Sequence, residues 1–141
     1  MRTWKESQSE VRRVRPDKEM ARSMLKMIEV RLRMMESVSR EDFASLVVEG
    51  YYEVIKETLT ALMALDGYKT LSHEVLVGYL KEFFPQFSES EVLLVDRLRQ
   101  LRNKISYMGF FVDPDYLERN EGRIKEVVEK LLSILRERLQ S

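Results

Sequence analysis

The sequence predicts an all-α protein, an antiparallel up-and-down bundle of about five helices, and three observations carry that prediction. Glycine and proline are scarce, five and three residues in 141, while 44% of the chain is hydrophobic and 34% charged. That balance suits helices with one buried and one solvated face. Apolar residues recur at three- and four-residue intervals over long segments, and no stretch alternates as a strand would. The breaks between these segments carry helix-start and helix-stop residues. A chain of this length fits one domain and can build a core without metal or disulfide support.

Residues 1–16 lack a helical period and carry Arg2, Lys5, Arg12, Arg13 and Arg15 against Glu6 and Glu10. They read as a basic N-terminal arm, loose or docked on the surface as chain ends are. A functional reading of the arm is contact with RNA phosphates. The helical domain spans 17–141. From Asp17 to Val38, the residues Met20, Met24, Met27, Met34 and Met35 fall at helical intervals with Leu25, Ile28 and Val38, predicting a first helix with a methionine-rich buried stripe. Arg22, Arg31 and Arg33 take its other faces.

Ser39 followed by Asp42 resembles a capping arrangement for a second helix. Phe43, Val47, Tyr51, Val54, Thr58, Leu62 and Leu65 then point inward as far as Asp66-Gly67, where glycine can take the left-handed stop. Gly50 costs that helix about 1 kcal/mol relative to alanine, which predicts a close helix–helix approach there. Ser72 caps a shorter third helix, His73 to about Phe84, ending before Pro85. Ser88 with Glu91 forms a capping box for a fourth helix, which turns Val92, Leu94, Val95, Leu98, Leu101 and Ile105 inward and runs into Tyr107-Met108-Gly109. Phe110-Phe111-Val112 is an apolar connector. Asp113 before Pro114 opens a fifth helix through Tyr116, Leu117, Ile124, Val127, Val128, Leu131, Leu135 and Leu139.

The chain has no cysteine and one histidine, His73. Disulfides, thiolate metal sites, cysteine nucleophiles and two-histidine metal pairs are thereby excluded within one chain, and neither metal nor cofactor is expected. No P-loop, dinucleotide fingerprint or nucleophile elbow is present. The longest uncharged apolar run, Thr58 to Leu65, is far short of the roughly 20 residues that cross a bilayer. The N-terminus has no apolar core to serve as a secretory signal, so a cytoplasmic protein is expected. Lys and Arg number 24, as do Asp and Glu. With no net charge, any attraction to an anionic partner must come from a local patch.

The fourth helix supplies one. Arg97, Arg99, Arg102 and Lys104 surround Asn103, and helical geometry puts Arg99, Arg102 and Ser106 on neighbouring face positions with Asn103 and Tyr107 beside them. Arginines so clustered suit a phosphate through planar bidentate contacts. The competing reading pairs them with Glu91, Asp96 and the fifth helix's Glu118, Glu121 and Glu126.

Three segments in order resemble the HEPN superfamily, small helical domains that bind nucleotides or RNA and often cleave RNA. They are Glu49-Gly50-Tyr51-Tyr52-Glu53 ending in Ala64-Leu65-Asp66-Gly67, then Leu71-Ser72-His73-Glu74-Val75-Leu76, then Leu98-Arg99-Gln100-Leu101-Arg102-Asn103 with Gly109 soon after. The resemblance covers the chain from about residue 17 to the end. The family's motif falls on Arg102 and Asn103, and taken with the helical face around them this marks Arg99, Arg102, Asn103, Ser106 and Tyr107 as the expected ligand site. In cleaving members a histidine follows the arginine by five residues; here that position is Tyr107. A phenol with an ordinary pKa near 10 is a poor base at pH 7. Losing the imidazole removes roughly two to four orders of magnitude of acid–base catalysis.

A non-catalytic or weakly catalytic module binding nucleotide, RNA or a partner is therefore expected. The alternatives are a divergent ribonuclease using Arg102, Asn103 and Tyr107 for slow cleavage, or a purely structural dimeric bundle. The resemblance further implies a homodimer whose Arg-Asn segments face a shared cleft. It also implies pairing with a minimal nucleotidyltransferase in a toxin–antitoxin or defence-type system. His73 is expected to support the start of the third helix or to pack beside Tyr79.

Overall fold

The computed structural model describes all 141 residues. Its helices are α1 (Lys18–Glu36), α2 (Ala44–Asp66), α3 (His73–Phe83), α4 (Glu89–Met108) and α5 (Pro114–Gln140). Short connections join α1 to α2, α2 to α3 and α3 to α4, each pair packed together, while α5 packs on α2 and α1. No helix is long and apolar enough to cross a membrane.

α2 is the centre because it is apolar on nearly every side. Val47, Val48, Tyr51, Tyr52, Ile55, Leu59 and Leu62 are all buried, and α1, α3, α4 and α5 each pack against it. The stop at Gly67 is left-handed, φ 81°, as expected of a glycine there. At Gly50 a Cβ would stand 2.8 Å from the Met35 sulfur of α1, so the expected close approach is present.

The capping signals behave as read, with one shift. Ser88 and Glu91 form the reciprocal box, each side chain bonding the other's backbone N–H at 3.1 and 2.9 Å. Ser72 accepts from Val75 N at 3.3 Å, and Asp113 from Asp115 N at 2.9 Å. Ser39 does accept from Asp42 N at 3.1 Å, but that bond closes a separate turn and α2 starts only at Ala44. Phe43 is thus exposed instead of inward.

The methionine stripe of α1 is half wrong. Ala21, Ile28 and Met35 are the buried residues, with Met24, Leu25, Leu32 and Val38 packed partly against the core. Met20, Met27 and Met34 each precede a core residue by one position, about 100° around the helix, and stand exposed. Apolar residues cover more of α1 than the bundle can bury, so periodicity alone could not choose the inner face.

The arm is docked. Lys5–Glu10 form a 3-10 helix, and β1 (Arg12–Arg13) pairs antiparallel with β2 (Tyr68–Lys69), Arg12 opposite Lys69. This two-stranded ribbon is the one departure from an all-helical reading. Trp4 is buried, its ring 5.2 Å from Tyr68, 5.6 Å from Tyr79 and 5.3 Å from Phe83. Backbone bonds from Val14 N to Gly67 O (2.9 Å) and Asp17 N to Ala64 O (3.1 Å) fasten the segment to the end of α2.

Candidate functional site

α4 carries its last basic turns past α2 and ends at Gly109, left-handed with φ 64°. On the way it presents the five residues singled out in the sequence. Arg99 is committed locally, its Nε donating to Asp96 Oδ1 at 2.9 Å. Ser106 donates to Glu49 Oε2 of α2 at 3.0 Å. Asn103 is half-buried and makes no side-chain hydrogen bond within the chain. Tyr107 is 77% exposed.

Arg102 differs from its neighbours. Its Nε is buried without a hydrogen-bond partner; the nearest carboxylate oxygen, Glu53 Oε1, lies 3.7 Å away. An Nη reaches the Tyr107 hydroxyl only at 3.5 Å, and the guanidinium carbon sits 5.8 Å from the tyrosine ring centre. A buried charged donor left open is costly.

Of the competing carboxylate pairings only Arg99 with Asp96 occurs, at 2.9 Å. Glu121 of α5 belongs to Arg40 at 3.0 Å, and Glu91 of α4 to Lys130 at 2.8 Å. The acids beside Arg102 come from α2, where Glu49, Tyr52, Glu53 and Lys56 share one face at three- and four-residue spacing. Lys56 pairs with Glu53 at 2.8 Å. Glu49 and Glu53 lie in the HEPN-like segment of α2 without an expected place in the site, and Lys56 was not expected there at all. Their signal was a polar stripe on a helix otherwise apolar all round.

α3 adds His73, which the fold brings to the same place. Its ring lies 5.9 Å from Tyr52. It does not pack beside Tyr79, whose ring contacts are Trp4, Phe83 and Phe84 and whose hydroxyl donates to Asp66. Burial holds the His73 pKa below its ordinary value, and the charges of Lys56, Arg102 and Arg99 depress it further against the opposing pull of Glu53. The imidazole is thus kept neutral near pH 7 and stands within Coulombic reach of Arg102. Burial likewise pushes the Tyr52 hydroxyl up, against Arg99 and Arg102.

Three helices therefore bring together Lys56, His73, Arg99 and Arg102, with Glu49, Glu53 and Asp96 offsetting part of the charge. Below the site the chain turns apolar and exposed: Tyr107, Met108, Phe110 and Phe111 all face solvent. Of that connector only Val112 is buried, its N–H donating to Ser45 at 2.7 Å. None of the five principal clefts contains Arg102, Asn103 or Tyr107. No group of three acidic or histidine side chains is placed to hold a metal.

Comparison of the chain with family models, with curated proteins and with solved structures returns no match.

Proposed function

We propose that this chain is a HEPN-like binding module, non-catalytic or weakly catalytic, that takes a nucleotide or RNA phosphate at Arg102. One observation carries the reading: the Arg102 Nε is buried and has no hydrogen-bond acceptor, Glu53 reaching it only at 3.7 Å, with Lys56, Arg99 and His73 nearby. The outer nitrogens of the same guanidinium carry only the 3.5 Å contact of Nη1 to the Tyr107 hydroxyl, which leaves them to a phosphate. Asn103, free of internal bonds, is available to a base or sugar. The module acts as a homodimer, with the exposed Tyr107, Met108, Phe110 and Phe111 as the apolar rim against which two Arg-Asn segments face each other. Its partner is a minimal nucleotidyltransferase of a toxin–antitoxin or defence-type pair, a role that rests on the family likeness alone.

The test is titration of a fluorescent single-stranded RNA and of ATP against wild type and Arg102→Ala. Affinity should fall about tenfold to a hundredfold in the variant, the worth of one or two charge-assisted hydrogen bonds. Equal binding by the two proteins would refute it.

A second reading, slow RNA cleavage, is favoured by the placement of His73. Tyr107 is a poor proton carrier at neutral pH, and His73 is an imidazole that the fold, not the motif, brings toward Arg102. Cleavage by wild type that disappears in His73→Ala while RNA binding persists would establish it; no cleavage by wild type removes it.

A further inference from the structure

α1 has two apolar faces and the bundle covers one. Ala21, Ile28 and Met35 are sealed against the core, while Met20, Met27, Val30 and Met34 are 43, 53, 48 and 60% exposed on the far side. A helix with one packed face needs an apolar stripe of about 100°; the apolar arc of α1 spans about twice that at 100° per residue. Met20, Met27 and Met34 repeat every seven positions, with Ser23, Val30 and Ser37 between them. That is the spacing of a two-helix seam. An exposed apolar stripe of this kind marks a contact surface, and unbranched methionines adapt to the facing helix.

The charges beside the seam select the occupant. Glu19, Lys26 and Arg33 line one edge, again at seven-residue spacing. Two parallel copies would set Lys26 against Arg31 of the other copy twice and gain no attractive pair. Turned antiparallel about an axis midway between Met27 and Val30, Met27 packs on Val30 of the second copy and Met34 covers its Ser23. Glu19 then faces Arg33 twice, and Lys26 meeting its own copy is the one repulsive contact on that edge. Both members of the attractive pair are available. Arg33 has no carboxylate partner within the chain, and Glu19 holds only an exposed contact with Arg22 at 3.2 Å. Arg31, on the opposite edge, is already neutralised by Glu57 at 3.0 Å.

We propose that α1 is a self-association surface on which two copies of this chain pair antiparallel along Met20 to Met34. The surface lies on the face of α1 turned away from α2 and α5 and shares no residue with the Arg102 site or its Tyr107 to Phe111 rim; a chain that pairs at both would assemble beyond a dimer, and the phosphate-binding reading is tested separately from this one.

Because the chain lacks cysteine, site-directed cross-linking reads the arrangement directly. Ser23→Cys and Met34→Cys, mixed as separate proteins and mildly oxidised, should give a mixed disulfide dimer, while each alone stays uncross-linked. Adding Glu19→Arg to both should abolish most of that product, and adding Arg33→Glu as well should restore it. Circular dichroism checks that these exposed substitutions leave the helix content unchanged. No mixed dimer, cross-linking of Ser23→Cys with itself, or failure of the double charge reversal to restore the product would each overturn the proposal.

Discussion

Adjacent tyrosines on α2 open onto two arginine–carboxylate sites that use the same chemistry to opposite ends. On one side Tyr51 donates to Glu121 at 2.6 Å, and Arg40 bonds the same carboxylate through Nε and Nη2 at 3.1 and 3.0 Å. The remaining Arg40 Nη1 donates to the Met35 and Val38 carbonyls. Every strong donor is used, and the α1–α2 connection is tied to α5. On the other side Tyr52 faces His73, and Arg102 keeps a buried Nε with no acceptor. A guanidinium with every donor bonded ties elements of the fold together; one with an open donor contributes less to that.

The largest expected difference between the two sites is in stability. Arg40→Ala should cost about 2–3 kcal/mol in urea unfolding, because it leaves the half-buried Glu121 carboxylate with the Tyr51 hydroxyl but no paired cation. Arg102→Ala should cost less than about 1 kcal/mol. Equal losses would mean that Arg102 is structural after all, and the contrast would collapse.

Acid titration sharpens the same contrast. Burial would raise the Glu121 carboxyl, but the Arg40 and Tyr51 hydrogen bonds outweigh it and hold the group below its ordinary 4.5. A carboxyl lowered by folding adds stability above 4.5 that is lost as pH falls through the depressed value. The stability gap between wild type and Glu121→Gln should therefore narrow steadily below about pH 4.5. A constant gap would contradict the pairing.

His73 titrates in the other site with a distinct signature. Its folded pKa lies below the ordinary 6.5, so the imidazole gains charge only in mildly acidic solution. RNA binding by wild type should strengthen as pH falls below the ordinary imidazole value, and binding by His73→Ala should lack that rise. Smallest of all is the tyrosine pair. Tyr51→Phe should cost about 1 kcal/mol through the lost donor to Glu121, whereas Tyr52→Phe, whose hydroxyl makes no hydrogen bond in the chain, should stay within about 0.5 kcal/mol.

Much of this fold was legible because its boundaries are local chemistry. Ser88 with Glu91, Ser72, Asp113-Pro114, Gly67 and Gly109 each act within one helical turn, and each ends or starts a helix as its side chain dictates. The errors arose where tertiary contacts decide. Nothing in the period of α1 distinguishes Met27 from Ile28 as the inward residue, since both faces are apolar. Trp4 gave no periodic signal, yet it seals the aromatic cluster of Tyr68, Tyr79 and Phe83 and so fixes the arm. The same limit governed the site. Arg99, Arg102 and Ser106 share a face by helical arithmetic alone, but Glu53, Lys56 and His73 reach them only through the packing of α2 and α3 on α4.

The account rests on Arg102 being held open for a phosphate, and one measurement addresses that most directly. Binding of a fluorescent single-stranded RNA is compared for wild type, Arg102→Ala and Arg40→Ala at a temperature where all three are folded. The account predicts that Arg102→Ala loses about tenfold or more in affinity while Arg40→Ala binds as wild type does. Indistinguishable binding by wild type and Arg102→Ala would contradict it and leave the chain a structural bundle.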